Sequence, residues 1–281
     1  MRKVTLALVV ALVLLLATAG IAGAITNGEP DNGRHPYVGL LVFDERTCTI
    51  ADDGTETCVV EPSWRCSGSL IKEDVVLTAG HCTDGAVAAR IWMDETVQGN
   101  PEYPFSGTTS YDGTAFTYPG FCIGCGKGLP GFAAWDVGVV VLSEPVPSGV
   151  VTEYADLPGE GQVSTLKNKT PIDFVGYGVQ EQIRGGGPPV WTGLLERMYA
   201  PSELVSGKFK HSDLFMKLAL NPGGGSGGTC FGDSGGPDLL GGTETVLAVN
   251  SYVTNSNCSG VGYSQRVDIP EVLEWIQGFL P

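Results

Sequence analysis

The chain reads as an all-β protein, and three observations predict it. From Ile25 onward, short β-branched and aromatic runs alternate with turn clusters of Gly, Pro, Asn and Asp. The 281 residues include 41 Gly and 18 Pro, enough chain for two modest β-rich lobes or one large domain with a substantial core. Helical periodicity is confined to the C-terminal end.

In order, Tyr37–Phe43, Ser67–Ile71, Val75–Thr78, Val137–Leu142, Ile172–Tyr177 and Val246–Val253 read as strands. The stretch from about Thr96 to Phe132 is rich in Gly, Pro, Tyr and Thr and reads as an extended surface insertion. Pro145 to Gly161 has the composition of a linker between lobes, and Asn221–Gly228 is flexible by composition. A helix is predicted over about 269–280. Asp268 and Pro270 are its start signals, with Ile269, Val272, Leu273, Ile276 and Phe279/Leu280 at helical spacing.

Hydrophobic residues make up 42% and charged residues 17%, which argues against wholesale disorder. The formal charge is -15, and removing a leader that contains Arg2 and Lys3 but no acid takes it to -17. An acidic surface of that size disfavours nucleic acid or an anionic membrane as a partner. Met1-Arg2-Lys3, the apolar run from Val4 to about Ala17 and the small residues after it have the form of a signal peptide. Ala17-Thr18-Ala19 and Ala22-Gly23-Ala24 are both possible cuts, and the block is read as residues 1–24. An uncleaved anchor is the alternative, disfavoured by the small-residue end. No later segment looks transmembrane. Export agrees with eight cysteines, which would pair outside a reducing cytosol.

Chemistry concentrates in three places. Gly232-Asp233-Ser234-Gly235-Gly236-Pro237 sets a serine hydroxyl among glycines. Upstream lie Thr78-Ala79-Gly80-His81-Cys82 and Trp135-Asp136-Val137-Gly138. A serine hydroxyl is a weak nucleophile at neutral pH and needs a base, and the base needs a group that holds its tautomer. His81, Asp136 and Ser234 supply these in the order His, Asp, Ser, which separates chymotrypsin-type enzymes from subtilisins and α/β-hydrolases. The apolar flank of Asp136 predicts burial, and a buried carboxylate needs a partner. Of the other histidines, His35 is read as structural or exposed and His211 as solvated.

On these motifs the chain resembles the trypsin/chymotrypsin family of serine endopeptidases. Ile25-Thr26-Asn27-Gly28 is similar to the mature N-terminus of those proteases. Cys66-Ser67-Gly68-Ser69-Leu70-Ile71 precedes the histidine motif as it does there. Phe174-Val175-Gly176-Tyr177-Gly178 resembles the first strand of the second lobe, with Tyr177 where tryptophan is usual. The resemblance implies two six-stranded antiparallel β-barrels of the chymotrypsin type with a C-terminal α-helix. The barrels would span about 25–148 and 160–267, with the active site between them.

The resemblance also assigns residues. The amides of Gly232 and Ser234 would form the oxyanion hole, and Asp233 would pair with a new ammonium at Ile25. Gly228 would lie at the base of the specificity pocket, and Ser251, Tyr252 and Val253 along its wall. Trypsin-like enzymes carry an acid where Gly228 stands. Small or medium uncharged residues are therefore expected before the cut bond. Cys66–Cys82 and Cys230–Cys258 are the implied disulfides. Cys48, Cys58, Cys122 and Cys125 allow three connectivities, of which the local pairs Cys48–Cys58 and Cys122–Cys125 are preferred; a redox or zinc site is the alternative. The expected protein is a secreted, extracellular monomer with no cofactor or metal, acting on proteins or peptides and open to proteinaceous inhibitors. A non-catalytic binding homologue and an esterase with the same triad are the competing readings.

Overall fold

The computed structural model describes residues 25–26, 28–125, 133–183, 190–205, 212–220 and 227–280. The leader 1–24 with both possible cuts, Asn27, His211 and residues 221–226 of the glycine tract lie outside the described residues.

Strand β1 is Glu29–Pro30. Strands β2 (Val38–Ile50), β3 (Glu56–Lys72), β4 (Val75–Thr78), β5 (Ala88–Trp92), β6 (Ser110–Thr117) and β9 (Gly138–Leu142) close into a barrel in the order β2-β3-β4-β9-β6-β5. Leu41, Phe43, Leu70, Val76, Ile91 and Val140 belong to its apolar core. The short β7 (Cys122–Ile123) and β8 (Ala133–Ala134) pair beside it.

Two departures from the sequence reading have physical causes. The segment read as a surface insertion contains β6, a wall of the barrel between β5 and β9. Its half-buried positions Gly113, Ala115 and Thr117 are small or polar, so the alternation that marks a strand is faint. Strands β2 and β3 also run well past their apolar cores into an exposed hairpin. Cys48 faces Cys58 across it in a disulfide, and Asp53 caps the turn by accepting from Thr55 N–H at 2.9 Å. Those outer residues are exposed, so hydrophobic patterning carries no trace of them.

The second lobe is a sheet in the order β1-β13-β10-β15-β16-β17-β14. Its strands are β10 (Pro171–Gly176), β13 (Met198–Glu203), β14 (Phe215–Leu220), β15 (Pro237–Leu240), β16 (Val246–Val253) and β17 (Gly260–Arg266). Among the described residues the β13 and β14 edges meet through a bridge between Leu204 and Leu218, a bond from Val205 N–H to the Lys217 carbonyl at 3.1 Å and one from Ser202 Oγ to the Ala219 carbonyl at 2.7 Å. Strands β11 (Glu181–Ile183) and β12 (Val190–Thr192) form a separate pair.

Residues 145–161 connect the lobes and touch both, Ala155 N–H donating to Leu70 and Asp156 N–H to Glu244. Helices α1 (Gly80–Thr83) and α2 (Gln162–Thr165) are single turns; α3 (Pro270–Gln277) ends the fold. Pro270 opens α3, but the residue before it is Ile269 and no side chain caps it. Asp268 instead accepts from Val163 N–H in α2 at 2.8 Å and pairs with Arg266, so its carboxylate serves a different helix.

A buried polar knot joins the lobes. Arg197 donates to Asp31 at 3.0 Å, to the Val38 carbonyl at 3.0 Å and to Tyr177 Oη at 3.3 Å. Tyr177 Oη donates to the Asp94 carbonyl at 2.7 Å. His35 is buried here, its ring nitrogen 2.5 Å from Asp31. Burial alone would raise the Asp31 carboxyl, but bonds from His35 and the charges of His35 and Arg197 outweigh it and hold it below the ordinary range.

Candidate active site

His81 sits on α1, the turn that follows β4. The Cys66–Cys82 disulfide ties that turn to β3, and Trp64 Nε1 donates to the Cys82 carbonyl at 2.8 Å. Asp136 approaches from the other side. Trp135 takes a left-handed φ of 57°, and Val137 N–H donates back to the Trp135 carbonyl at 2.8 Å. The resulting tight turn throws the Asp136 side chain inward, where it is fully buried.

The carboxylate is well supplied. One oxygen accepts from His81 N–H at 2.7 Å; the other lies 2.8 Å from His81 Nδ1 and also accepts from Ser251 Oγ. Asp136 N–H donates to Gln265 Oε1 at 3.1 Å. Ser251 and Gln265 come from β16 and β17, so the second lobe braces an aspartate carried by the first. Burial would lower the pKa of His81, but the charge and hydrogen bond of Asp136 more than compensate and raise it above the ordinary imidazole value.

Ser234 lies in the loop before β15, held between the lobes. Its carbonyl accepts from Ser67 N–H at 2.8 Å, and Gly235 N–H donates to Asn250 at 2.8 Å. Gly235 has φ of 77°, and a Cβ there would stand 2.0 Å from Thr78 Oγ1. Only glycine allows the serine loop to press this closely on the strand leading to His81. Among the described residues Ser234 Oγ makes no hydrogen bond to His81 Nε2, which lies 3.7 Å from Cys82 Sγ. Such contacts are often loose until substrate fills the site.

The Gly232 and Ser234 amides have no acceptor among the described residues. The neighbouring groups are committed: the Phe231 carbonyl accepts from Val179 at 2.8 Å and the Gly232 carbonyl from Ser67 Oγ at 3.0 Å. Between the two amides, Asp233 is fully buried and accepts from Gly178 N–H at 2.8 Å and Cys230 N–H at 2.9 Å. It has no ion pair among the described residues. Burial dominates and pushes its carboxyl up to about 7, against the two amides and the charge of Arg65. Ile25 is buried in the core of the second lobe, and Thr26 pairs with Gly228 through bonds of 2.9 and 3.0 Å. In the continuous chain Ile25 is a peptide unit without an ammonium.

Beside Ser234 lies a cleft of about 180 Å³ bounded by Thr229, Phe231, Asn250, Tyr252 and Val253. Gly228 sits one residue below this lining, occupied with Thr26, and does not face the cleft. Leu220, fully buried, packs against the residues next to this lining. Its side chain lies 3.2 Å from where a Cβ would stand on Gly228 and 3.1 Å from one on Gly262, the strand partner of Val253. Leu220 had no signal in the sequence beyond an apolar strand. Gln265, between the polar residues Ser264 and Arg266, had none. Tyr252 stacks on Tyr263 at 5.0 Å, which stiffens the wall.

All four disulfides join the expected partners: Cys48–Cys58, Cys66–Cys82, Cys122–Cys125 and Cys230–Cys258. The last ties the loop ahead of Ser234 to the segment between β16 and β17.

Known proteins place the chain. The Trypsin family model matches residues 32–276. Chymotrypsin-like elastase family member 3B of Macaca mulatta is 28% identical over 203 residues, 69% of this chain and 73% of that protein. Serine protease 1 of Drosophila melanogaster is 25% identical, across 92% of this chain and 86% of its own. The structure of HL collagenase superposes with a TM-score of 0.63 at 20% identity, over 90% of this chain and 97% of that one. Human heparin binding protein gives a TM-score of 0.58 at 17% identity, over 91% and 96%. At those identities the two structures speak to the fold alone.

Proposed function

Because the chain belongs to the Trypsin family of serine proteases, we propose that it is a secreted endopeptidase that cleaves through His81, Asp136 and Ser234. The observation that carries this reading is the Asp136 carboxylate, buried and bonded at once to the His81 backbone and ring, beside a serine loop with two uncommitted amides. His81 Nε2 takes the Ser234 Oγ proton as Oγ attacks the carbonyl carbon. The Gly232 and Ser234 amides receive the oxyanion; each such donor is worth about 10²–10³ in rate. As the C–N bond breaks, His81 gives the proton to the leaving amine. Water repeats the sequence on the acyl-enzyme.

The cleft supports small or medium uncharged residues before the cut. No acid is among its described lining residues, so a lysine or arginine would be desolvated without a partner. Val253 narrows the wall and Leu220 packs beside it. The buried Ile25 and the uncompensated Asp233 support activation by a cut before Ile25: the new ammonium would neutralise a carboxylate that burial otherwise keeps from ionising. The cut after Ala24 would then double as signal removal.

The test is labelling with a fluorophosphonate, followed by hydrolysis of Ala, Val, Arg and Lys peptide substrates. Protein beginning at Ile25 should label and cleave after Ala or Val faster than after Arg or Lys, and Ser234→Ala should do neither. Failure of the unaltered Ile25 form to label would sink the reading in favour of a binding homologue, and ester turnover without peptide turnover would favour an esterase.

A further inference from the structure

A second cleft, of about 190 Å³, lies against β2 and β3 where β3 leads into the Cys66–Cys82 disulfide. Pro62, Trp64, Tyr103 and Pro104 give it apolar walls, and Arg65 is the only charged group among its described lining residues. Trp64 is fixed by its bond to the Cys82 carbonyl and by stacking on Phe43 at 6.0 Å. Arg65 is half-buried, with no hydrogen bond or ion pair among the described residues. The fully buried arginines among the described residues, Arg90, Arg197 and Arg266, are each held by an aspartate. Glu45, on the same hairpin, is engaged by Ser63 Oγ at 3.0 Å.

The position of Arg65 matters for the reaction. A Cβ built on Gly232 would stand 3.6 Å from Arg65 Nε, so the guanidinium lies beside the proposed oxyanion hole. The departing half of a substrate takes its proton from His81 and must leave on the His81 side of Ser234. Trp64, bonded to the carbonyl of Cys82 next to His81, and Arg65, beside Gly232, link the second cleft to that side.

Resting on the endopeptidase reading, we propose that this cleft is a leaving-group subsite in which Arg65 selects an acidic side chain within the first two residues after the cut bond. A guanidinium with its donors unspent can take a carboxylate in bidentate fashion, and the walls of Trp64 and Tyr103 suit its methylenes. The first cleft, with no charge among its described lining residues, reads the residue before the bond; the second reads charge after it.

Three internally quenched peptides, identical except for Glu, Gln or Lys at both of those positions, test this on protein beginning at Ile25. The kcat/KM for the Glu peptide should exceed that for the Gln peptide about fivefold at low salt, and the advantage should shrink as salt screens it. In Arg65→Gln the ratio should fall to about one, and in Arg65→Glu the order should turn in favour of Lys. Ratios within one variant cancel any general loss of activity, which a merely structural role for Arg65 would produce. Equal cleavage of all three peptides by the unaltered protein, or an unchanged ratio in Arg65→Gln, overturns the subsite and leaves the endopeptidase reading standing. Cleavage of none of them breaks both.

Discussion

The two lobes hold their buried aspartates differently. Asp136, carried by the first, accepts from the His81 backbone and the Ser251 hydroxyl and faces the His81 ring. Asp233, in the second, has two backbone amides, no ion pair among the described residues, and a carboxyl pushed up to about 7. The base and its orienting group are therefore assembled by folding alone. In the proposed mechanism, the loop that would receive the developing charge keeps an electrostatic demand at its centre that the proposed cut before Ile25 would satisfy. On that proposal, catalytic order and latency reside in separate halves of one site.

The comparison is broken most severely by Asp136→Asn. The amide can still occupy the site, but it no longer stabilises the imidazolium and favours the wrong tautomer. The same aspartate-to-asparagine change in a chymotrypsin-type triad costs about 10⁴ in kcat, and a comparable fall is expected here. The unaltered enzyme should lose activity toward acid with an apparent pKa above the ordinary histidine value, because Asp136 raises His81. An acid limb at or below that value would mean that Asp136 does not act on His81 as its geometry indicates.

Asp233→Asn should come next. Protein cut before Ile25 should lose about 10²–10⁴ in kcat/KM, the equivalent of breaking a buried ion pair worth about 3–5 kcal/mol. The uncut chain carries its own signature. An acid whose folded pKa lies above its unfolded one is favoured in the folded state only while protonated. Stability of the uncut chain should therefore fall as pH rises from about 4 through 7, and Asp233→Asn should flatten that slope. Thermal melts across this range read it; a slope unchanged by the substitution would detach Asp233 from the effect.

The smallest effect belongs to the packing beside the first cleft. Leu220→Ala should loosen it and shift the preference toward larger residues before the cut by about tenfold in kcat/KM ratio. It should also destabilise the core by about 2–5 kcal/mol. Retained preference for Ala and Val would assign selectivity to Val253 instead.

Much of this was legible beforehand because it is local. A β-branched run between turn residues declares a strand, as Val75–Thr78 and Val246–Val253 did to the residue. A serine among glycines and a histidine beside a cysteine are recognisable within six positions. What stayed hidden depends on partners distant in the chain or on faint patterning. Strand β6 lacks a large apolar face, and the outer β2–β3 hairpin is held by its ladder and a disulfide rather than by burial. Asp268 stands where a helix cap belongs, yet it bonds a backbone amide 105 positions away.

The order and kinds of residue in the three motifs were enough to name the chemistry this protein is equipped for. Nucleophile, base and orienting group need particular side chains, and their identity is written directly in the chain. Only the tertiary structure decided their circumstances. It brought Ser251 and Gln265 to Asp136 across separations of 115 and 129 residues, left Asp233 without an ion pair among the described residues and packed Leu220 beside one cleft. It also set Arg65 in the wall of the other. Burial, desolvation and the supply of hydrogen-bond partners are properties of packed surfaces, and no periodicity or spacing along the chain encodes which surfaces will meet.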